Sequence, residues 1–175
     1  MRVVEPLNVR RHDRNEFACG EPSLDAYLRQ QAAQHHRDGI STTHVQVEDA
    51  DPSRILGFYS LSAAQLLLTD LQEADRKRLP NYPVPAVRMG RLAVATVEQS
   101  KGNGDVLLAH AVARCLALRA QLGVRVLLVN ALHEKAARFY RAYGFHEATA
   151  NSHTLYLPLG NSQGDARATP VRMER

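Results

Sequence analysis

An apolar run, Gly90-Arg91-Leu92-Ala93-Val94, leads into Gln99-Ser100-Lys101-Gly102-Asn103-Gly104, and an apolar-periodic helix follows directly, Val106 to Leu122. Strand, glycine-spaced loop and helix in that order gather several backbone N–H groups and a helix N-terminus into one small concavity. Such a concavity suits a diphosphate, because oriented amides and the positive end of the helix dipole face the anion together. A side chain at 102 or 104 would crowd phosphate oxygens, and glycine also permits φ > 0 where amides converge. The same Gly-x-Gly is compatible with an ordinary loop that opens a helix, so the loop alone does not decide the chemistry.

The remaining chain supplies the elements around that unit. Val3-Val4 reads as a short strand closed by Pro6, and a helix follows with Ser23 as N-cap, a stripe of Leu24, Tyr27, Leu28, Gln31 and Ala32 at helical spacing, and Gly39 as its stop. His44 to Glu48 alternates as a strand. The Asp49-Ala50-Asp51-Pro52-Ser53 turn then joins it to Ile55–Leu61 as a hairpin. Thr69 to Arg78 predicts a short polar helix, and Pro80, Pro83 and Pro85 predict extended loop. Val87 to Val94 is the central strand, and the helix from Lys101 to Leu122 stops at Gly123. Val124 to Val129 is a mostly apolar run, as expected for a strand covered on both faces. Ala136 to Tyr143 is a short helix with Gly144 as left-handed cap, and Thr154 to Leu157 is the last strand. This layout predicts one α/β domain, a mixed central sheet flanked by helices, over residues 1–160, with a flexible tail over 161–175.

Composition fits a globular chain of 175 residues, with 45% apolar and 23% charged residues. No run approaches the roughly 18 apolar residues of a membrane span, and Met1 to Pro6 has no signal-peptide core. A cytoplasmic protein without membrane association is expected. Cys19 and Cys115 make neither a disulfide framework nor a metal cluster. Cys115 falls on the apolar helix face as a small core residue; Cys19 is read as structural, since no histidine is spaced to activate it as a nucleophile. The net charge of +4 is unevenly distributed. Arg76, Lys77, Arg78, Arg88 and Arg91 stand against Asp75 alone, and Arg114, Arg119, Arg125, Lys135, Arg138 and Arg141 against Glu134. Such fields attract polyanions, though a solvated basic surface has the same composition.

Two motifs carry a family resemblance. The loop reads Gln-x-x-Gly-x-Gly, and Ala136-Ala137-Arg138-Phe139-Tyr140-Arg141-Ala142-Tyr143-Gly144-Phe145 follows one strand later. Together they resemble the acetyl-CoA loop and the Ala-x-x-Phe-Tyr-x-x-x-Gly-Phe signature of the GNAT N-acetyltransferases, and the resemblance covers most of residues 1–160. It implies the GNAT fold, with strands splayed at the acetyl-CoA site, and acetyl-CoA as co-substrate without a metal. Leu92, Ala93 and Val94 would then bind the pantetheine arm through backbone amides, and Gln99, Ser100, Lys101, Gly102, Asn103 and Gly104 the pyrophosphate. Tyr140 is the candidate general acid for the departing CoA thiolate. A packing aromatic is the alternative role for Tyr140, and Tyr143, three residues on, the alternative acid. His44, His110, His133, His146 and His153 are scattered, and none stands out as a base. His133 occupies a position where many relatives have Asn, and Ser100 one where close relatives often have Gly.

A lysine amine with pKa about 10.4 needs a base, whereas an α-amine near 7.7–8.0 is partly neutral already. Further segments narrow the resemblance: Gly57-Phe58-Tyr59-Ser60-Leu61-Ser62, Leu79-Pro80-x-Tyr82-Pro83-Val84-Pro85 and Gly90 to Val94. They resemble the acetyltransferase toxins of type II toxin–antitoxin systems. That resemblance implies acetylation of the α-amine of aminoacyl-tRNA, which blocks translation. It also implies a ribbon-helix-helix antitoxin as partner, homodimerisation, and contact with DNA only through the antitoxin complex. Arg76, Lys77, Arg78 and Arg91 are the RNA candidates, as phosphate-positioning contacts. Two alternatives are an N-acetyltransferase of small-molecule amines or of protein N-termini and lysines, and a non-catalytic partner in an antitoxin–toxin repressor complex.

Overall fold

The computed structural model describes residues 1–160; the tail expected over 161–175 lies outside the described residues. In chain order the elements are β1 (Arg2–Pro6), α1 (Pro22–Gln30), α2 (Ala32–Arg37), β2 (Thr42–Glu48), β3 (Gly57–Leu66), α3 (Glu73–Arg76), β4 (Val84–Val94), α4 (Asn103–Leu118), β5 (Val126–Asn130), α5 (Glu134–Tyr143), β6 (His146–Ala148) and β7 (Asn151–Pro158). The strands follow the order β1-β2-β3-β4-β5-β7-β6, the expected mixed α/β architecture. The described chain resolves into two compact units, residues 1–62 with 89–111, and residues 63–88 with those from 112 to 160. β3, β4 and α4 each run through both.

In the first unit β2 pairs antiparallel with β1 and with β3, with Val45 opposite Phe58 and Val47 opposite Val3. The two-residue period of a strand puts Val45, Val47 and Phe58 on one face and His44, Gln46 and Tyr59 on the other. The first face packs on the Leu24, Tyr27 and Leu28 stripe of α1, together with Phe17, Ile55 and Ala93. Phe17 meets the Phe58 ring edge-on at 5.5 Å, and Tyr27 stacks on it at 6.4 Å. Burying each such side chain contributes roughly 1.5–3 kcal/mol.

In the second unit Val126 to Val129 are all buried, as the unbroken apolar run predicted. β5 pairs antiparallel with β7, Leu128 opposite Tyr156, and β7 pairs with β6. Leu66, Leu71, Val84, Ala86, Val126, Leu128 and Tyr156 form this unit's core, with Leu68 and Leu79 packed on it.

Several element ends differ from the sequence reading. Ser23 does not cap α1: the cap is Glu21, with Pro22 at the first turn. Proline lacks the N–H that a cap would satisfy, and it forces the preceding residue into extended backbone. The helix also breaks at Gln31 into α1 and α2, well before Gly39. Thr69–Arg78 is not one helix but a short turn at Leu68–Asp70 followed by the single turn α3. β4 begins at Val84 and includes Pro85, whose carbonyl accepts from the Arg125 N–H at 2.9 Å. α4 ends at Leu118, where Arg119 turns its guanidinium to the carbonyls of Leu159 and Gly160. β6 was not expected, because three residues are too few to show a period.

Candidate active site

The loop between β4 and α4 lies in the first unit. Here the chain leaves Val94, makes a turn at Thr96–Glu98 and reaches α4 at Asn103. Gly102 has φ +82°, the left-handed conformation its glycine was expected to serve. Ser100 adopts the same region at φ +62°, where a side chain is strained. Gly104, by contrast, lies inside the helix, so only lack of bulk argues for glycine there. Residues 99–102 are exposed, and with the first turn of the 16-residue α4 they offer a backbone surface suited to an anion.

Although residues 99–102 are exposed, polar side chains of this stretch bond back to the protein. Gln99 donates from Nε2 to the carbonyls of Cys19, at 2.9 Å, and Val94, at 3.0 Å, stapling the loop to the end of β4. Asn103, 3% exposed, donates from Nδ2 to the Glu98 carbonyl at 2.9 Å and accepts on Oδ1 from Arg2 at 2.7 Å. Lys101 Nζ lies 3.4 Å from a Glu98 carboxylate oxygen. Glu98 is therefore a hub that sequence reasoning missed. Buried to 6% exposure, it receives Arg54 at 2.9 Å, Arg2 at 3.3 Å and Lys101. The Arg54 hydrogen bond holds its carboxyl below the usual carboxylate range, against the opposing effect of burial. No local pattern signals this, since Arg2 is 96 residues away in sequence.

Ala93 is buried, and Leu92 and Val94 are half-buried, at the end of β4. Gly57 makes room for this strand: a Cβ there would sit 2.8 Å from the Ala93 carbonyl oxygen and 2.7 Å from Leu107 Cδ1. The glycine of Gly57-Phe58-Tyr59 thus permits a close approach of β3 to β4 and α4. Arg91 lays its guanidinium over the Tyr27 ring, Cζ 3.6 Å from the centroid, a cation–π contact that fixes its stem.

His44 and His110, read from sequence as scattered, come together around Tyr59. His44 stacks on the Tyr59 ring at 5.4 Å, and the Tyr59 hydroxyl and His110 Nδ1 are 2.7 Å apart. Cys19 is buried, its thiol directed at the Glu21 carbonyl, and burial pushes its pKa up to about 12. Burial also raises Cys115, to about 11. Neither thiol is poised as a nucleophile.

Tyr140 lies in the second unit. α5 is capped at its start by His133, whose Nδ1 accepts from the Ala136 N–H at 3.1 Å, and at its end by Gly144 at φ 114°. His133 therefore serves as the cap that Asn commonly provides. Tyr140 is 7% exposed and packs against the rings of Phe139 and Phe145, both at 5.3 Å. Burial holds its hydroxyl above the ordinary tyrosine pKa near 10, so it stays a protonated donor through the neutral range. Tyr143 packs on Phe145 at 6.1 Å. Arg76 is half-buried, and Lys77 and Arg78 are exposed, just after α3 in the same unit. Among the described residues no cluster of His, Cys, Asp and Glu could hold a metal ion, and no helix is long and apolar enough to cross a membrane.

No protein-family model matches the chain. It is 39% identical over 156 residues to a tRNA-acetylating toxin of Mycobacterium tuberculosis, covering 89% of both chains. It is 27% identical to a probable toxin TacT of Sinorhizobium fredii, covering 90% and 91%. Among solved structures it superimposes on a tyrosine-to-phenylalanine mutant of KacT with a TM-score of 0.85, at 29% identity, covering 90% of this chain and 95% of that one. AtaT complexed with acetyl-methionyl-tRNAfMet gives 0.84 at 28% identity, with the same coverage. A mutant AtaT bound to acetyl-CoA and the C-terminus of the antitoxin AtaR gives 0.76 at 28%, covering 90% and 93%. With a relative this similar along nearly its whole length, and the strand–loop–helix unit formed as its sequence required, the chain belongs to the acetyltransferase toxins of the GNAT type.

Proposed function

We propose that this protein is the toxin of a type II toxin–antitoxin pair, transferring the acetyl group of acetyl-CoA to the free α-amine of an aminoacyl-tRNA and so blocking translation. The carrying observation is the 39% identity, over 89% of the chain, to a toxin named for acetylating tRNA. Its protein partner is the antitoxin, through which it reaches DNA. Charged tRNA and acetyl-CoA are both cytoplasmic, and the protein acts there.

The reaction joins the amine nitrogen to the thioester carbonyl carbon and breaks the carbon–sulfur bond. The nitrogen releases one proton to solvent, and the CoA sulfur gains one. In this reading Tyr140, whose buried phenol is neutral at working pH, supplies the proton to sulfur and regains one from solvent to complete the cycle. The backbone of Gln99 to Gly104 and the first turn of α4 hold the pyrophosphate, with Gly102 supplying the left-handed residue. The amides of Leu92, Ala93 and Val94 hold the pantetheine arm. The side chains of Gln99, Lys101 and Asn103 keep the loop in shape and leave the anion to the backbone. Arg76, Lys77, Arg78 and Arg91 position RNA phosphates. An α-amine near pKa 7.7–8.0 is partly neutral at pH 7.5, so the site needs no strong base.

The test is transfer of label from acetyl-CoA to total charged tRNA, against the same tRNA deacylated. Label on charged tRNA alone supports the reading. CoA release with amines or peptides, and none with tRNA, overturns the substrate while leaving the acetyltransferase.

A further inference from the structure

Three basic residues emerge from a segment that the second unit clamps at both ends. Leu71, 1% exposed, precedes Arg76-Lys77-Arg78, and Leu79 follows, both packed on the core that contains Tyr156. Around the first of these anchors the segment is tied to the β6–β7 hairpin by polar contacts. Thr149 donates its hydroxyl to the Thr69 carbonyl at 2.8 Å and its N–H to the Asp70 carbonyl at 3.0 Å. Gln72 donates from Nε2 to the Glu147 carbonyl at 2.8 Å. Tyr156, with no exposed surface, sends its hydroxyl out of the core: it accepts from the Gln72 N–H at 2.8 Å and donates to Asp75 Oδ2 at 2.5 Å. His146 Nδ1 lies 2.7 Å from that same carboxylate oxygen.

The packing of a buried ring does not need this hydroxyl, since a phenylalanine would fill the same core volume. Both of its bonds instead fix α3, the single turn that ends at Arg76. Two residues later Arg78 sits at φ +66°, a left-handed conformation that a residue other than glycine holds only where its surroundings determine it. Among the described residues no carboxylate pairs with Arg76, Lys77 or Arg78, whereas Arg2, Arg54 and Arg141 all have acidic partners. The clamp therefore fixes the turn from which three cations without carboxylate partners extend, an arrangement that suits a phosphate backbone.

We propose that Tyr156 and Asp75 are positioning residues for RNA binding: together they lock the turn before Arg76-Lys77-Arg78 and set where those cations meet the phosphates of the charged tRNA. The proposal rests on the reading that charged tRNA is the substrate.

The test uses the full chain and compares Tyr156→Phe, Asp75→Ala and the triple variant Arg76→Ala, Lys77→Ala, Arg78→Ala. For Tyr156→Phe the KM for charged tRNA should rise about 5- to 10-fold, the scale of one or two lost hydrogen bonds. Its kcat at saturating tRNA and KM for acetyl-CoA should stay at wild-type values. Asp75→Ala separates positioning from charge. Removing a negative group beside three cations would by electrostatics alone tighten tRNA binding, whereas loss of positioning weakens it. Weaker binding in Asp75→Ala supports the proposal; tighter or unchanged binding overturns it. So does a Tyr156→Phe enzyme whose only change is a lower Tm or a lower kcat. The triple variant should weaken tRNA binding and lower the slope of log K against log salt by about 2–3. If it leaves the tRNA KM unchanged, the triplet is not the RNA contact and the proposal falls with that assignment. If it weakens binding while Tyr156→Phe does not, the RNA contact stands and the positioning role is wrong.

Discussion

Asn103 donates its side-chain amide to the carbonyl of Glu98, 2.9 Å away, so the first residue of α4 is tied back to the turn that leads into the glycine loop. The loop's shape is thereby held from inside, by groups that do not face solvent. Substitutions here fall into two kinds: those that alter the backbone surface and those that loosen its support.

Glu98→Gln addresses the support. It leaves Arg2, Arg54 and Lys101 without their shared carboxylate, and because all three are partly exposed they can hydrate. The expected loss is about 1–2 kcal/mol, toward the low end for a broken charged pair. The Arg54 bond holds the Glu98 carboxyl below the usual range, so its contribution is complete above the unfolded value near 4.3 and fades as pH falls through the lower folded value. Thermal unfolding should show the gap between wild type and variant narrowing below about pH 4. A gap constant with pH would mean that the ion cluster does not support the loop.

Ser100→Gly should stabilise the protein. A non-glycine residue at φ +62° costs about 1–2 kcal/mol, and the entropy of an added glycine offsets about 0.5–1 kcal/mol of the relief. A net gain of about 0.5–1 kcal/mol raises Tm by roughly 1–4 °C for a chain of this size. Acetyl-CoA affinity, read by calorimetry, should be retained or improved. A lowered Tm would show that the serine hydroxyl holds the turn.

Gly104→Glu should abolish acetyl-CoA binding in a calorimetric titration, since bulk and negative charge both oppose the pyrophosphate at the helix start. Circular dichroism should remain that of the wild type, because glutamate is a better helix former than glycine. Unchanged affinity would place the pyrophosphate elsewhere.

Tyr140→Phe should lower kcat by roughly 10²–10⁴ while the KM for acetyl-CoA changes little. The wild-type hydroxyl has its pKa raised by burial, so it remains protonated as pH rises through 9 and sets no alkaline limb there. The acidic limb should instead follow deprotonation of the substrate amine. A variant with near-normal turnover would remove Tyr140 from the chemistry.

Cys19→Ala and Cys115→Ala should each retain full turnover, and native protein at pH 8 should resist alkylation at both positions. Burial holds the two thiols at about 12 and about 11, so little thiolate exists at that pH. Rapid loss of activity with iodoacetamide would contradict the structural role.

What the sequence determined was local and periodic. The apolar run Val126–Val129, the hairpin around Val45 and Phe58, the left-handed positions Gly102 and Gly144, and the loop before α4 all follow from spacing and backbone preference within about ten residues of chain. The aromatic cluster of Tyr140 is local in the same way, whereas its reading as the candidate acid came from the resemblance carried by Ala136 to Phe145. Tertiary structure decided the rest. Glu98 became a hub only when Arg2 and Arg54 were brought to it from far along the chain. Tyr156 reached Asp75 across 81 residues, and His44 met His110 through the packing of Tyr59. Ser23 lost the cap to Glu21 because proline had already fixed the turn. Hydrogen bonds and ion pairs of polar side chains have no period in sequence. Their partners are fixed by which elements pack, so they become visible only in the folded chain.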